Sequence, residues 1–271
     1  MAQEEPVNTP GLDAFSPIAN HYDAIMEHVD YARWRHIAER LGDLLPRPIV
    51  HLDAGCGTGV LMEQLAESGW HSFGIDLSPS MLRVARHRRK LTTLACADLC
   101  ALPFREQFHL ITCLFDSVNF LLREEQVHSA MESFFRALKP GGMLYFDIVT
   151  RRMISDHFNN ECWMEDHGRF RSSWRSTYHR EQRLCETRVR INSGTDSVTR
   201  ERVYDPEFIQ DAVGRAGLSL LSMRDAYTWK KPGRVVTRID FVAVKGGEKD
   251  LTRRFEAVER DIRAALIGRQ S

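Results

Sequence analysis

Short apolar runs alternate with helical segments through the first half of the chain, and this alternation limits the possible folds more than any other feature. Strands are expected at 49–55, 71–77, 91–97, 108–116 and 143–149, and helices at 18–45, 60–68, 79–90 and 124–138. Short apolar runs of this kind, most of them followed by a helix, are typical of buried parallel strands with helical crossovers. The pattern predicts an α/β fold whose ligands bind at the carboxyl ends of the strands.

The pattern changes after Thr150. Stretches at 170–179, 184–191 and 198–204 alternate apolar and polar residues, with turn sequences between them. Alternation of period two, interrupted by turns, predicts antiparallel strands. We therefore expect residues 151–205 to form an antiparallel β insertion after the fifth strand, which should roof the substrate pocket.

The remaining segments return to the main domain. A helix is expected from Asp205-Pro206 to Ala216, strands at 218–227 and 238–244, and a closing amphipathic helix at 251–266. The predicted division is a flexible arm at 1–17, a main domain formed by 18–150 and 206–271, and the insertion at 151–205.

Composition limits the partners. Lys plus Arg number 37 and so do Asp plus Glu, whereas a protein that tracks a phosphate backbone carries a basic excess. No apolar run approaches the ~20 residues that cross a membrane, and the polar N-terminus is not a signal peptide. The six cysteines include no C-x-x-C pair and none has a His at zinc-ligand spacing. We expect a cytoplasmic protein with no metal, nucleic acid or membrane partner.

The segment HLDAGCGTG delivers a strand into a tight glycine-rich turn. Gly55, Gly57 and Gly59 let the backbone bend and approach a ligand without a Cβ in the way. The amino end of the next helix then points at that ligand. The dinucleotide fingerprint G-x-G-x-x-G places its third glycine one residue later, so this turn fits it less well. A turn whose glycines serve geometry alone is the alternative.

Two acids follow at strand ends. Asp76 lies about 20 residues past the turn, where a carboxylate can accept both hydroxyls of an adenosine ribose. Asp98, after the third strand, could meet the adenine amino group. The alternatives are a helix N-terminal charge for Asp76 and a simple loop acid for Asp98.

Together these residues resemble the class I S-adenosylmethionine-dependent methyltransferases. The matching motifs, in the family's order and spacing, are D-A-G-C-G-T-G at Asp53–Gly59, G-I-D-L-S at Gly74–Ser78, A-D-L at Ala97–Leu99 and L-K-P-G-G at Leu138–Gly142. The resemblance covers about residues 18–150 and, more weakly, 206–245. It implies S-adenosyl-L-methionine as cofactor and a Rossmann-like, mostly parallel seven-stranded sheet with helices on both faces, in which only the last strand is antiparallel.

The resemblance also implies a set of cofactor-binding residues: Asp53, Gly55, Cys56, Gly57, Gly59, Asp76, Leu77, Asp98, Leu99 and Asp116. The glycine-rich turn would wrap the methionine moiety, with Asp53 beneath it. Asp76 would hold the ribose hydroxyls, and Asp98 and Leu99 would frame the adenine. Asp116 would lie close to the methionyl amino group and to the substrate mouth.

A more detailed resemblance is to small-molecule N- or O-methyltransferases, including those acting on amino sugars and glycine. They carry a leading helix with a Y-D pair, here Tyr22-Asp23, and an antiparallel insertion after the fifth strand. This implies that Tyr22 closes over the cofactor; a half-buried aromatic is the alternative. Asp116, Tyr22 and Asn119 are the candidate catalytic residues. Some relatives place a histidine after the fourth strand as a candidate base; its absence here favours nitrogen, because an amine needs no strong base.

The insertion supplies candidate substrate residues: Trp163, Arg171, Trp174 and Tyr178. Alternating arginine and aromatic residues could bind an anionic or flat substrate, or form a solvated face with arginine stems over aromatic rings. The predicted function is methyl transfer from S-adenosylmethionine to a nitrogen or oxygen of a small molecule. A non-catalytic cofactor-binding protein and an NAD-dependent oxidoreductase remain open. A methyltransferase that modifies a nucleic-acid base is a further alternative. Such enzymes often carry N/D-P-P-Y/F after the fourth strand, whereas this chain has Asp-Ser-Val-Asn at Asp116–Asn119.

Overall fold

The strands follow the predicted alternation closely. The computed structural model describes residues 13–246 and 249–268. Its strands are β1 (Val50–Ala54), β2 (His71–Asp76), β3 (Leu94–Cys96), β4 (Phe108–Cys113), β5 (Leu138–Val149), β6 (Cys162–Asp166), β7 (Arg171–His179), β8 (Leu184–Ile191), β9 (Asp196–Arg202), β10 (Leu218–Asp225) and β11 (Arg238–Lys245). The L-K-P-G-G motif at Leu138–Gly142 is an irregular stretch at the beginning of β5, since Phe108 pairs with Leu138 and Leu110 already pairs with Met143.

The helices occupy most of the expected segments. They are α1 (Tyr22–Ile25), α2 (Tyr31–Gly42), α3 (Val60–Ala66), α4 (Pro79–Arg89), α5 (Glu124–Ala137), α6 (Arg151–His157), α7 (Pro206–Arg215) and α8 (Lys249–Gly268), with short 3-10 helices at Leu99–Ala101 and Ser117–Phe120. The single helix expected at 18–45 is divided into α1 and α2. Asp30 begins α2 by accepting a hydrogen bond from the Arg33 N–H at 3.1 Å, as helix N-caps commonly do.

The main sheet has the strand order β10-β11-β5-β4-β1-β2-β3. Strands β1 to β5 run parallel, and β11 runs antiparallel to both of its neighbours, β5 and β10. The predicted Rossmann-like sheet with one antiparallel strand is therefore confirmed. Because β1, β2 and β4 are parallel neighbours, the segments that follow them meet at one edge of the sheet.

Apolar side chains cover both faces of this sheet. On one face, α5 and α7 bury Phe134 and Ile209 against the strands. On the other, α2, α3 and α8 bury Leu41, Leu65 and Phe255. In the parts of the chain that the structure describes, no helix is both long enough and apolar enough to span a membrane.

The insertion is an antiparallel sheet with the order β6-β7-β8-β9; we call it the roof sheet. Two elements within 151–205 were not predicted. They are α6, whose first turn is capped by the Thr150 hydroxyl accepting from the Arg152 N–H at 3.2 Å, and β6. Tyr178 and Cys185 of the roof sheet pack with Val149 at the end of β5, so a small apolar cluster joins the two sheets.

The leading segment packs against the main domain. Residues 13–17 form turns, and the Asp13 carboxylate accepts hydrogen bonds from the Ser80 N–H at 2.9 Å and the Ser78 hydroxyl at 2.7 Å. The rest of the arm predicted at 1–17, residues 1–12, lies outside the described residues.

Candidate active site

The glycine-rich turn lies at the carboxyl end of β1. Gly55, Gly57 and Gly59 have φ angles of +82°, +53° and +83°, in the left-handed region that disfavours residues with a Cβ. A Cβ on Gly57 would meet no atom within 4 Å, so this main chain faces open space. A Cβ on Gly55 would come within 2.5 Å of the Ser117 hydroxyl. The turn is therefore closed towards the protein and open on the side where a ligand can lie.

Asp76 connects this turn to the end of β2. One carboxylate oxygen accepts from the Gly57 N–H and the other from the Ser78 N–H, each at 2.8 Å. Burial raises the pKa of Asp76, opposed by these main-chain hydrogen bonds. Next to it, Leu77 is 68% exposed. An acceptor carboxylate beside an exposed apolar side chain fits an adenosine, which presents a ribose diol and a flat ring.

Asp53 lies beneath the turn at the end of β1. The Thr112 hydroxyl donates to Asp53 Oδ1 at 2.7 Å and lies 2.9 Å from His51 Nε2. Burial raises the pKa of Asp53 to about 7, against the Thr112 hydrogen bond, and burial lowers the pKa of His51 to about 3. His51 is therefore neutral, and Asp53 exchanges a proton near neutral pH, which suits it to pair with a cationic ligand.

The remaining predicted cofactor residues lie around the same edge. Cys56 is buried, and burial raises its pKa well above the usual range, so it is a neutral thiol. Asp98 is exposed and accepts from the Cys100 N–H at 2.9 Å, which begins the 3-10 turn containing Leu99. Across the described ranges, no three His, Cys, Asp or Glu side chains are grouped so as to hold a metal ion.

Asp116 follows β4 and belongs to a buried charge cluster. Its φ of +57°, like the +58° of Phe115, is unusual for a residue with a Cβ. Arg238 Nη2 lies 2.7 Å from Asp116 Oδ1, and the same guanidinium pairs with Asp147. Burial raises the pKa of Asp116, although the charge of Arg238 opposes it. Arg238 was not identified from the sequence; its signal is an arginine that opens a mostly apolar strand.

Asn119 is fully buried and its amide is occupied by main-chain groups. Its Nδ2 donates to the carbonyl of Arg202 at 2.9 Å and to that of Val149 at 3.4 Å, while its Oδ1 accepts from the Val149 N–H at 3.0 Å. These bonds connect the turn after β4, the end of β5 and β9. The structure thus gives Asn119 contacts suited to positioning the roof sheet.

Tyr22 reaches the site from α1. Its ring packs edge-on against Phe15 at 6.1 Å between centroids. Burial raises the pKa of its hydroxyl well above the usual range, and the charges of Asp116, Asp76 and Glu201 add to this effect. The Tyr22 hydroxyl therefore lies within the field of carboxylates from the main and roof sheets.

Asp23, the neighbour of Tyr22, fastens α1 to the glycine-rich turn. Its Oδ1 accepts from the Thr58 hydroxyl at 2.6 Å, and its Oδ2 accepts from Arg89 at 2.9 Å. Arg89 also donates to the Thr58 carbonyl at 3.1 Å. The segment that carries Tyr22 is consequently held to the turn by three groups.

The predicted substrate residues lie on β6 and β7, which β8 separates from β9. Trp163 and Trp174 stack with centroids 5.1 Å apart and border an open groove of about 590 Å³ that also contains Arg175 and Arg188. Arg171 is exposed and pairs with Asp166 at 3.1 Å, and Tyr178 is buried in the cluster that joins the two sheets. Trp174 also packs against the apolar cluster that includes Tyr22.

Glu201, on β9 of the roof sheet, lies within the electrostatic field of Asp116. Burial and, to a smaller extent, the charge of Asp116 raise its pKa to about 8, against the opposing charge of Arg238. The sequence shows only an acid in the alternating stretch Val198–Arg202. Nothing in that alternation identifies a partner 85 positions away in the chain, so Glu201 was missed.

Comparison with known proteins places this geometry among methyltransferases. Residues 52–142 match a family model described as a methyltransferase domain. A protein of Geobacillus sp. (strain WCH70) named as a methyltransferase is 25% identical over 245 residues, covering 85% of this chain and 99% of its own. The dTDP-3-amino-3,6-dideoxy-alpha-D-glucopyranose N,N-dimethyltransferase of Streptomyces fradiae is 29% identical over 148 residues, which are 53% of this chain and 58% of that protein.

A crystal structure agrees with these relatives. An S-adenosylmethionine-dependent methyltransferase from Clostridium acetobutylicum ATCC 824 is 27% identical, with a TM-score of 0.76 over 85% of this chain and 98% of its own. The similarity thus extends beyond the glycine-rich turn to most of the chain.

Proposed function

This chain is an S-adenosylmethionine-dependent methyltransferase, and we propose that it methylates a nitrogen or oxygen of a small-molecule acceptor held between the glycine-rich turn and the roof sheet. The observation that carries the proposal is the position of Asp116. It lies after β4, next to the strands that carry the cofactor motifs, and it interacts electrostatically with Glu201 of the roof sheet. An acceptor at Asp116 would therefore be within reach of both sheets.

S-adenosylmethionine supplies a methyl group that its sulfonium has already activated. The residues of this chain have to bind the cofactor and the acceptor, orient them towards each other and exclude water. Asp76 and Leu77 would hold the adenosine, and the main chain of Gly55–Gly59 together with Asp53 would hold the methionine moiety. Tyr22, fastened through Asp23, would cover the site, and Asp116 would orient the acceptor. Alignment of reactants can contribute ~7–11 kcal/mol to such a reaction.

The relatives support a small acceptor. The Streptomyces fradiae protein is named for N,N-dimethylation of an amino sugar nucleotide, and the roof sheet would leave room for a compact molecule. The formal net charge of zero disfavours a nucleic-acid acceptor. A cytoplasmic location is also part of the proposal, supported by the free state of the six cysteines.

The test is transfer of labelled methyl from S-adenosylmethionine to small molecules, after calorimetric titration with S-adenosylhomocysteine has shown that the protein is loaded. Paired acceptors separate nitrogen from oxygen: ethanolamine against ethylene glycol, glucosamine against glucose, and glycine against glycolate. Label on at least one member is expected. Methylation of added protein or RNA, with none of the small molecules modified, would contradict the proposal.

A further inference from the structure

Glu201 is fixed next to Asp116 by the main chain of β9. The Asn119 amide donates to the carbonyl of Arg202 at 2.9 Å, and Asn119 follows Asp116 by three positions. Arg202 directs its side chain to the carbonyl of Leu122 at 3.1 Å. Because side chains alternate along a strand, Glu201 lies on the opposite face from Arg202, the face that also carries its pairing partner Cys185, which is buried.

The Glu201 carboxylate has no hydrogen bond or salt bridge with any residue within 13–246 and 249–268. By contrast, Glu186 on the neighbouring strand pairs with Arg188 at 2.6 Å and Arg200 at 2.9 Å. Glu201 is half-buried, so its carboxylate can be reached by a ligand at the mouth of the site.

The charges around Glu201 favour a cation. Asp116 and Arg238 act on it directly, and the Tyr22 hydroxyl and the Cys185 thiol also lie in its field. Arg238 is already paired with both Asp147 and Asp116. Two carboxylates thus pair with the guanidinium of Arg238 and a third, Glu201, lies in its field without pairing with it, so acidic groups outnumber the arginine.

We propose that the acceptor is a cationic amine, whose ammonium group binds between Asp116 and Glu201, and that Glu201 removes one of its protons. The inference rests on the proposed function and names the acceptor class of that same site. The ammonium group would supply the charge that the cluster lacks and the hydrogen bonds that Glu201 lacks.

The proton balance is simple. The ammonium nitrogen gives one proton to a carboxylate oxygen of Glu201, and the electron pair of that N–H bond stays on nitrogen as a lone pair. The amine is then neutral and is the nucleophile that methyl transfer consumes. Glu201 becomes a neutral carboxyl and later releases its proton to solvent.

The magnitude of the pKa shift suits this step. An alkylammonium group has a pKa of about 10 and an ordinary glutamate one of about 4, so the transfer is normally unfavourable by about six pKa units. With Glu201 at about 8 in the free site, the difference falls to about two units, and it stays about three units smaller than normal after a bound ammonium has lowered the Glu201 pKa by about one unit. An alcohol, with a far higher pKa, would gain little from such a base, so Glu201 discriminates between the two acceptor classes.

The first test needs no turnover. In protein labelled with 13C at glutamate carboxyls and loaded with S-adenosylhomocysteine, the resonance missing from Glu201→Gln should titrate near 8. Methylammonium chloride, used as the probe, should lower that midpoint by at least one unit, whereas sodium chloride at equal ionic strength should not. The matched control Glu186→Gln should leave this response unchanged. A midpoint in the ordinary glutamate range, or no response to methylammonium, would overturn the proposal.

The second test uses the paired acceptors. Ethanolamine, glucosamine or glycine should be methylated in preference to its hydroxyl counterpart. Glu201→Gln should lower kcat/KM for the amine about 100-fold at pH 7, and the loss should shrink as the pH approaches the pKa of the amine, because solvent then supplies the neutral form. Glu201→Asp should restore part of the rate.

The outcomes separate the two proposals. Equal use of amine and hydroxyl acceptors, or a Glu201→Gln loss that is constant with pH, would overturn the role of Glu201 and leave small-molecule methylation intact. Absence of methylation in every pair would contradict the proposed function, while the carboxyl titration would still decide whether Glu201 binds a cation.

Discussion

Buried acids gather where β1, β2 and β4 end. Asp53, Asp76 and Asp116 each lie at or just after one of these strands, and burial raises the pKa of all three. Holding several desolvated carboxylates together is costly without a cation. S-adenosylmethionine carries positive charge on its sulfonium and its amino group. Cofactor binding should therefore offset the unfavourable electrostatic energy of these carboxylates.

Replacing Asp76 tests the ribose assignment. Asp76→Ala should weaken S-adenosylhomocysteine binding at least tenfold, because the carboxylate both accepts the diol and fixes Gly57. Titration calorimetry measures the change, and circular dichroism checks the fold. Asp98→Ala, which changes an exposed acid on the same edge, is the matched control and should have a smaller effect. Wild-type affinity in folded Asp76→Ala would show that the ribose is held elsewhere.

The raised pKa of Asp53 predicts that the free energy of unfolding depends on pH. Its folded pKa of about 7 exceeds the unfolded value of about 4, so its favourable contribution is complete below pH 4 and is lost as the pH rises to 7. Asp53→Asn keeps an acceptor for the Thr112 hydroxyl but cannot ionise. Relative to the wild type, it should therefore gain stability between pH 4 and 8, on the order of 4 kcal/mol at most. Urea unfolding of the cofactor-free proteins at both pH values measures this; a constant difference would contradict it.

At the scale of elements, α1 is too short to be stable alone and depends on its attachments. It has four residues, and an isolated helix of that length does not persist in water. The Asp23 contacts with Thr58 and Arg89 and the packing of Phe15 and Tyr22 hold it in place. Covering of the cofactor by Tyr22 is thus coupled to the conformation of the glycine-rich turn.

Thr58→Val removes the hydroxyl that Asp23 accepts while keeping the shape of the side chain. We expect a loss of about 1 kcal/mol in this contact, faster amide exchange of residues 15–25, and weaker S-adenosylhomocysteine binding. Hydrogen exchange followed by mass spectrometry measures the first two effects locally. Thr199→Val on the roof sheet is the control and should leave exchange at 15–25 unchanged. Equal protection in Thr58→Val and the wild type would contradict the attachment.

A comparison of the observed helices and strands with the predicted ones shows which elements a local sequence pattern can identify. The strands β1 to β5 and the cofactor turn were predictable because each combines a local apolar run with a local turn signal. The helix α6 and strand β6 were missed because each is short and neither has a strong period; the Thr150 cap was the only readable sign of α6. The position of Asn119 after β4 predicts a catalytic role, and no local pattern reveals that its amide bonds to the distant residues Val149 and Arg202.

At the scale of the molecule, Arg238 connects the main sheet to the acceptor side of the site. It is 5% exposed and pairs with Asp147 and Asp116. Arg238→Met should cost about 3–5 kcal/mol, because it leaves buried carboxylates unpaired. The double variant Arg238→Met, Asp147→Leu should recover part of that loss. Urea unfolding at pH 7.5 measures both; similar stability of the single variant and the wild type would contradict a structural role for the cluster.

Strand β11 has a consequence for the order in which this protein can be made. Among the described residues it is the last strand in chain order, and yet it lies inside the sheet, between β5 and β10. A ribosome must therefore release the chain past Lys245 before β5 receives its second neighbour. Until then the nascent protein exposes an open strand edge, which is prone to wrong pairing. The half of the site that Arg238 supports is consequently completed only after all the other strands of the main sheet have been synthesised.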